Sequence, residues 1–109
     1  MIVWWSTRVE IRSALCRLVR EGDLDEKGFK QALKLAEKIK DRCSAILPTD
    51  ALADLAEDCL DRYRLRAADA LQLSAALVWC REKPAKRAFI AFDPGLASAA
   101  RELGFDILD

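Results

Sequence analysis

Histidine is absent from the 109 residues of this chain. Its absence excludes Ser-His-Asp and Cys-His nucleophilic catalysis within one chain, because both need an imidazole as general base. It also argues strongly against zinc sites built from Cys and His. The sequence has no C-x-x-C pair either, so we expect reduced thiols in or beside the core at its four cysteines: Cys16, Cys43, Cys59 and Cys80.

An excess of one charge is also lacking, since 18 Lys and Arg balance 18 Asp and Glu. This balance disfavours binding to nucleic acid through bulk positive charge, although a local basic patch stays open. No apolar run is long enough to cross a bilayer, and the first residues do not resemble a signal peptide. We therefore expect a cytoplasmic protein without a membrane partner, folded as a single domain over residues 1–109.

Short apolar stretches alternate with amphipathic ones along the chain. The stretches MIVWW, SAILPTD, AFIAF and FDIL are typical of strands, and helical spacing of apolar residues fills the segments between them. Gly22 and Gly104 are placed to end helices, and a second helix is predicted to start near Asp25. This order predicts an α/β fold with a mainly parallel sheet covered on both faces.

Two carboxylates have ordinary structural explanations. Thr7 to Glu10 reads T-x-x-E, a capping box in which Thr7 is the N-cap and Glu10 bonds back to its N–H. Asp93 precedes Pro94, and an Asp N-cap followed by Pro is a common way to begin a helix.

A third carboxylate, Asp69, interrupts the apolar stretch LRAADALQLSAAL. It lies near the start of a predicted helix, where the helix dipole favours an anion. Its neighbours at helical spacing are Leu65, Leu73 and Ala76, so we expect it to face inward, where a carboxylate needs a partner to offset its desolvation.

Together, the three carboxylates suggest a metal site. Glu10 and Asp93 each follow a predicted strand, where a parallel sheet gathers its functional crevice, and Asp69 begins a helix that can pack across the same end. Crowded carboxylates repel one another unless a divalent cation lies between them. Ligands that are all oxygen favour Mg²⁺ or Mn²⁺, which support phosphodiester hydrolysis without histidine.

Three stretches, TRVEIRSALCRLVREG, LRAADALQLSAAL and FIAFDPGLASAARELGFDIL, resemble the PIN domain family in this order, and most closely its VapC-type toxins. The resemblance covers nearly the whole chain. It implies a three-layer α/β/α domain that is a metal-dependent endoribonuclease, with Glu10, Asp69 and Asp93 as catalytic and metal-binding residues. It further implies a Mg²⁺ or Mn²⁺ cofactor, an RNA substrate, a homodimer and a cognate antitoxin. Under this resemblance Arg66 either orients Asp69 or contacts the RNA, and Thr7 is a second candidate RNA contact, although helix capping explains Thr7 more simply.

One family feature is missing from this sequence. Family members open with an apolar strand that ends in Asp followed by Ser or Thr, and that Asp is a metal ligand. The resemblance therefore predicts an N-terminally truncated domain that lacks the first, central strand of the sheet and one ligand of the metal site. A late start codon, a fragment and a natural truncation are all compatible with it.

Other functions stay open beside the ribonuclease. A catalytically inactive PIN fragment could act as an interaction module for antitoxin binding or dimerisation. A receiver-type phospho-acceptor domain is disfavoured, because the chain lacks an acidic pair after its first strand and a Lys after the last strand but one. An α/β fold in which all three carboxylates only start helices is the remaining alternative.

Overall fold

The computed structural model describes residues 1–91 and 93–108 of the chain. Over that part it contains five helices and four strands of three residues each. In chain order the elements are β1 (Ile2–Trp4), α1 (Thr7–Arg20), α2 (Glu26–Asp41), β2 (Ser44–Ile46), α3 (Asp50–Arg62), α4 (Ala67–Trp79), β3 (Ala88–Ile90), α5 (Pro94–Leu103) and β4 (Asp106–Leu108). This order confirms a mixed α/β fold. Phe92, which falls in the predicted strand AFIAF, and Asp109 lie outside the described residues.

Local signals in the sequence set several helix ends. The side chain of Asp25 accepts a hydrogen bond of 2.7 Å from Gly28 N–H at the start of α2. Thr49 caps α3 in the same way, accepting from Leu52 N–H at 3.1 Å. Helix α5 ends at Gly104, whose φ of +112° lies in the left-handed region that glycine adopts without strain. The start of α2 near Asp25 and the end of α5 at Gly104 agree with the sequence prediction, whereas the cap at Thr49 was not predicted.

The start of α1 differs from the predicted capping box, because Thr7 is the first helical residue and Ser6 is the N-cap. The Ser6 backbone is already in the helical region, at φ −80° and ψ −5°. A side-chain cap requires the extended conformation instead, and the Ser6 side chain makes no cap bond within the described residues. Its carbonyl oxygen accepts from Val9 N–H at 2.9 Å and from Glu10 N–H at 3.0 Å. The prediction of Thr7 as N-cap is therefore wrong by one residue.

The described strands form two pairs, β1 with β2 and β3 with β4. β3 and β4 are parallel, with Ala88 opposite Asp106 and Ile90 opposite Leu108. Parallel pairing is thus confirmed for β3 and β4. A single continuous sheet is not present in the described part of the chain.

The chain divides into two compact units, Met1–Ala45 and Ile46–Asp109. In the first unit, α1 packs against α2. Both helices lie wholly within the described residues, and neither contains a buried residue. Their exposed apolar side chains include Val9, Ile11 and Ile39. A single domain over residues 1–109 therefore stays a prediction.

The second unit has a continuous apolar core. Helix α4 provides Ala70 and Leu73, both fully buried, and α5 adds Leu96. The rings of Phe89 in β3 and Phe105 just before β4 lie 5.4 Å apart between centroids and pack in the same core. Burial on this scale fixes α4 and α5 against the parallel strand pair, and with them the residues at the helix starts.

Charge is unevenly divided between the two units. Residues 1–45 contain ten Lys and Arg against seven Asp and Glu, for a net charge of +3. Residues 46–109 contain eight Lys and Arg against eleven Asp and Glu, for a net charge of −3. Among the helices described, none is long and apolar enough to cross a membrane.

Candidate functional site

Asp69 lies in the first turn of α4, three residues after the N-cap Arg66. Arg66 has an extended backbone, and its carbonyl oxygen accepts from Ala70 N–H at 3.0 Å. Asp69 is half-buried, whereas Leu73 on the next turn is fully buried. The carboxylate thus lies at the boundary of the core, where the start of the helix favours a negative charge.

Asp93 is the N-cap of α5 and directly precedes Pro94. Its Oδ2 accepts a hydrogen bond of 2.9 Å from Leu96 N–H. The side chain is exposed, and its other oxygen, Oδ1, has no hydrogen bond to any residue that the structure describes. The capping interpretation is confirmed, and one carboxylate oxygen is left to bind a ligand.

The starts of α4 and α5 come close together at Gly95. A Cβ placed on Gly95 would lie 3.8 Å from the carbonyl oxygen of Arg64 and 3.2 Å from Oδ2 of Asp93. Arg64 belongs to the short segment that leads into α4. Both helix starts, with Asp69 on one and Asp93 on the other, therefore lie at the same end of the second unit.

Glu10 and Thr7 belong to the first unit. Both lie in the first turn of α1 and are half-buried. Their roles as metal ligand and RNA contact stay predictions, as does the RNA contact of Arg66, whose side chain is exposed.

A closed metal site is not formed by the side chains described. Within residues 1–91 and 93–108, no group of three or more His, Cys, Asp or Glu is placed to hold a metal ion. The predicted set of Glu10, Asp69 and Asp93 therefore stays a prediction, and what the structure adds is that the starts of the two helices that carry Asp69 and Asp93 lie near each other.

The sequence did not single out two other features of the second unit. Ser74 is fully buried, and its hydroxyl donates to the carbonyl oxygen of Ala70 at 2.7 Å and lies 4.0 Å from Sγ of Cys59. Burial raises the pKa of the Cys59 thiol, and the Ser74 contact only partly offsets the increase. At the other end of α4, the guanidinium of Arg87 lies 5.1 Å from the centre of the Trp79 ring. The many cations after Trp79 were a signal for this second feature.

Comparison with known proteins does not identify a family, since no family model, curated protein or solved structure matches the chain. The described residues define the class as a mixed α/β protein with five helices and a parallel strand pair. The resemblance to the PIN family therefore remains a prediction.

Proposed function

We propose that this chain is a metal-dependent endoribonuclease of the VapC type in the PIN family, acting in the cytoplasm as a homodimer of three-layer α/β/α domains. One observation supports this proposal most directly. The starts of α4 and α5 meet beside Gly95, and so Asp69 and Asp93 lie at one end of the second unit. Functional residues commonly gather at the carboxyl ends of parallel strands, and Asp93 follows β3 in the sequence, three residues after its last residue Ile90.

The chemistry of the donors fits Mg²⁺ or Mn²⁺. Both cations prefer oxygen ligands, and Mg²⁺ is usually held by one or two carboxylates, with water and substrate phosphate completing its coordination. Asp69 and Oδ1 of Asp93 supply two such ligands, and Glu10 would be the third. A bound cation of this type activates water and neutralises charge on a phosphate.

The residues at this end of the second unit have separate tasks in the proposed reaction. Asp69 and Asp93 bind the cation, and the hydrogen bond from Leu96 N–H fixes the orientation of Asp93. The exposed Arg66 guanidinium, at the start of α4, would contact the RNA phosphate. Because the chain has no histidine, a bound cation that lowers the pKa of water would make an imidazole base unnecessary.

Cleavage of single-stranded RNA by the purified chain, with Mg²⁺ or Mn²⁺ present, tests the proposal. We expect cleavage that EDTA abolishes and that Asp69→Asn and Asp93→Asn each lower at least about a hundredfold, because each removes a ligand charge. Glu10→Gln is expected to act in the same direction. Asp61→Asn, at an exposed acid near the end of α3, is the matched control and leaves cleavage unchanged. Absence of cleavage by the folded chain with every divalent cation contradicts the proposal.

An apolar groove in the first unit favours a second candidate function, that of an interaction module. The groove has a volume of about 400 Å³ and is lined by Val3, Val9, Ile11, Leu33 and Ile39 among others. Groups of exposed apolar side chains commonly mark protein-binding surfaces.

The charges beside the groove indicate what kind of partner would bind there. Arg8, Arg12 and Lys40 line it, and Glu37, the one carboxylate in the lining, pairs with Lys40 at 3.6 Å, which leaves Arg8 and Arg12 for a partner. We propose that its occupant is an amphipathic helix with acidic flanks, supplied by the antitoxin that the resemblance implies. Such a helix places apolar residues in the groove and carboxylates beside the cations.

A labelled amphipathic peptide with leucines on one face and glutamates on the other is a suitable probe. We expect it to bind, and Ile11→Gln with Ile39→Gln to weaken binding about tenfold. Leu60→Gln, at an apolar residue of α3 with the same 41% exposure as Ile11, is the control. Equal binding of a peptide with lysines in place of the glutamates contradicts this second candidate.

A further inference from the structure

The segment between α4 and β3 concentrates positive charge. We call residues 80–87 the basic loop; its cations are Arg81, Lys83, Lys86 and Arg87, and its one carboxylate is Glu82. All five side chains are exposed. A net charge of +3 over eight residues is a strong local concentration in a chain whose total charge is zero.

These cations are not neutralised by neighbouring acids. Among the described residues, ion pairs are found on α2, where Lys30 contacts Glu26 at 3.5 Å and Lys40 contacts Glu37 at 3.6 Å. No carboxylate of the described chain lies within 4.0 Å of a basic-loop cation. Their charge is therefore available to an external anion.

An aromatic ring lies beside the same cations. Trp79, the last residue of α4, is 39% exposed, and the Arg87 guanidinium lies 5.1 Å from its ring centre. Nucleic-acid bases stack on indole rings and on guanidinium planes, whereas a simple anion uses neither. This pairing indicates a ligand that carries both phosphates and bases.

The basic loop is held in a defined conformation. Glu82 N–H donates to the Leu77 carbonyl at 2.8 Å, and Arg87 N–H donates to the Pro84 carbonyl at 2.9 Å. Arg81, Glu82 and Lys86 have φ angles of 54°, 58° and 66°. Non-glycine residues in this left-handed region are uncommon and often cluster at functional sites. Because the backbone is already ordered, ligand binding loses less conformational entropy.

A favourable interaction with the dipole of α4 accounts for only some of the cations in the basic loop. Cations near the end of a helix interact favourably with its dipole, which explains a basic residue such as Arg81. The effect falls off within the last turn, so Lys83 and Lys86, four and seven residues beyond Trp79, gain little from it.

We propose that the basic loop and Trp79 bind single-stranded nucleic acid. The four cations contact successive phosphates, and the Trp79–Arg87 pair stacks on a base. The surface lies at the end of α4 and the proposed metal site at its start, about 20 Å apart for a helix of 13 residues. Binding here needs neither the carboxylates nor a metal, so it goes beyond the proposed cleavage reaction.

Fluorescence anisotropy of a labelled single-stranded RNA, measured in EDTA, tests the phosphate contacts. We expect Lys83→Gln with Lys86→Gln to weaken binding about tenfold and to reduce the slope of log K against log salt by about 1.4, at 0.7 for each lost contact. Lys34→Gln with Lys38→Gln removes the same charge from exposed positions on α2 and serves as the control. An equal loss of RNA affinity in both double variants would show that RNA responds to the overall charge and not to the basic loop, which overturns the proposal. RNA affinity that neither double variant changes also overturns it.

A base-free polyanion tests the stacking contact. We expect Trp79→Leu to weaken RNA binding about fivefold or more, to leave heparin binding unchanged, and Trp79→Phe to restore much of the loss. Weaker heparin binding by Trp79→Leu, or duplex RNA bound as tightly as single strands, overturns base stacking. Single-stranded DNA is compared in parallel, and tighter binding of RNA identifies it as the ligand. Because EDTA excludes metal-dependent cleavage, failure of this surface and failure of the nuclease are separate results.

Discussion

Gly104 lies against Pro84, so that a Cβ on Gly104 would approach Pro84 Cγ to 3.3 Å. The contact joins the end of α5 to the basic loop, because Gly104 caps the helix and Pro84 lies in the middle of the loop. Gly104 also requires a positive φ, of 112°. Close approach and backbone conformation therefore both demand glycine at this position.

We expect Gly104→Ala to lower the free energy of unfolding by more than about 1 kcal/mol, because it adds both backbone strain and a close contact. Gly22→Ala is the matched control. Gly22 has a φ of 80°, but a Cβ placed on it would meet nothing within 4 Å, so that variant carries the backbone cost alone. Urea unfolding of the two variants measures the difference. Equal losses contradict a role for the Pro84 contact.

Asp93 caps α5 and is a proposed metal ligand, and substitution can separate these two roles. Asp93→Asn keeps an oxygen that accepts from Leu96 N–H, so we expect the free energy of unfolding to change by less than about 0.5 kcal/mol. Asp93→Ala removes the cap and is expected to cost about 1 kcal/mol. Both variants are expected to lose RNA cleavage. Urea unfolding and cleavage assays on the same samples measure the two effects, and an Asp93→Asn variant with full cleavage contradicts the metal role.

Cation binding is measurable without turnover. A divalent cation at ten times its Kd raises the free energy of unfolding by about 1.4 kcal/mol if it binds only the folded chain. We expect this increase with Mg²⁺ or Mn²⁺ for the unaltered chain and for Asp61→Asn, and its loss in Asp69→Asn. Thermal unfolding with and without the cation provides the measurement. The same increase in Asp69→Asn would mean that the ion binds elsewhere.

Cys59 makes stability depend on alkaline pH. Burial raises the pKa of its thiol in the folded chain, so the unfolded chain loses the proton first as pH rises. The contribution of this thiol to the free energy of unfolding is therefore fully present below the unfolded thiol pKa of about 8.5. It is lost as the pH rises from there through the higher pKa of the folded chain. We expect the free energy of unfolding to fall less steeply between pH 8 and 10 in Cys59→Ala. Urea titrations across that range test it, and identical slopes exclude a contribution from Cys59.

Helix boundaries could be predicted where the signal was local. Asp93 and Pro94 define the start of α5 and Gly104 its end, because capping and left-handed geometry depend on adjacent residues. The N-cap of α1 was misplaced because it depends on the turn after β1, which leaves Ser6 in a helical conformation. Adjacent residues give no indication of that turn.

Long-range features could not be predicted from the sequence. Strand pairing is set by tertiary packing, and three-residue strands carry too little periodicity to show which of them are neighbours. The approach of Arg64 to Gly95, on which the candidate site depends, joins segments about thirty residues apart. Likewise, the left-handed residues of the basic loop are not glycines, so composition did not indicate its conformation.

The opposite charges of the two units affect how separate molecules of this protein interact in solution. With a total charge of zero, no long-range repulsion keeps the molecules apart, and the +3 segment of one attracts the −3 segment of another. Added salt screens this attraction over about 10 Å at 0.1 M. Solubility at neutral pH should therefore rise as salt is first added, and dilute buffers should promote precipitation.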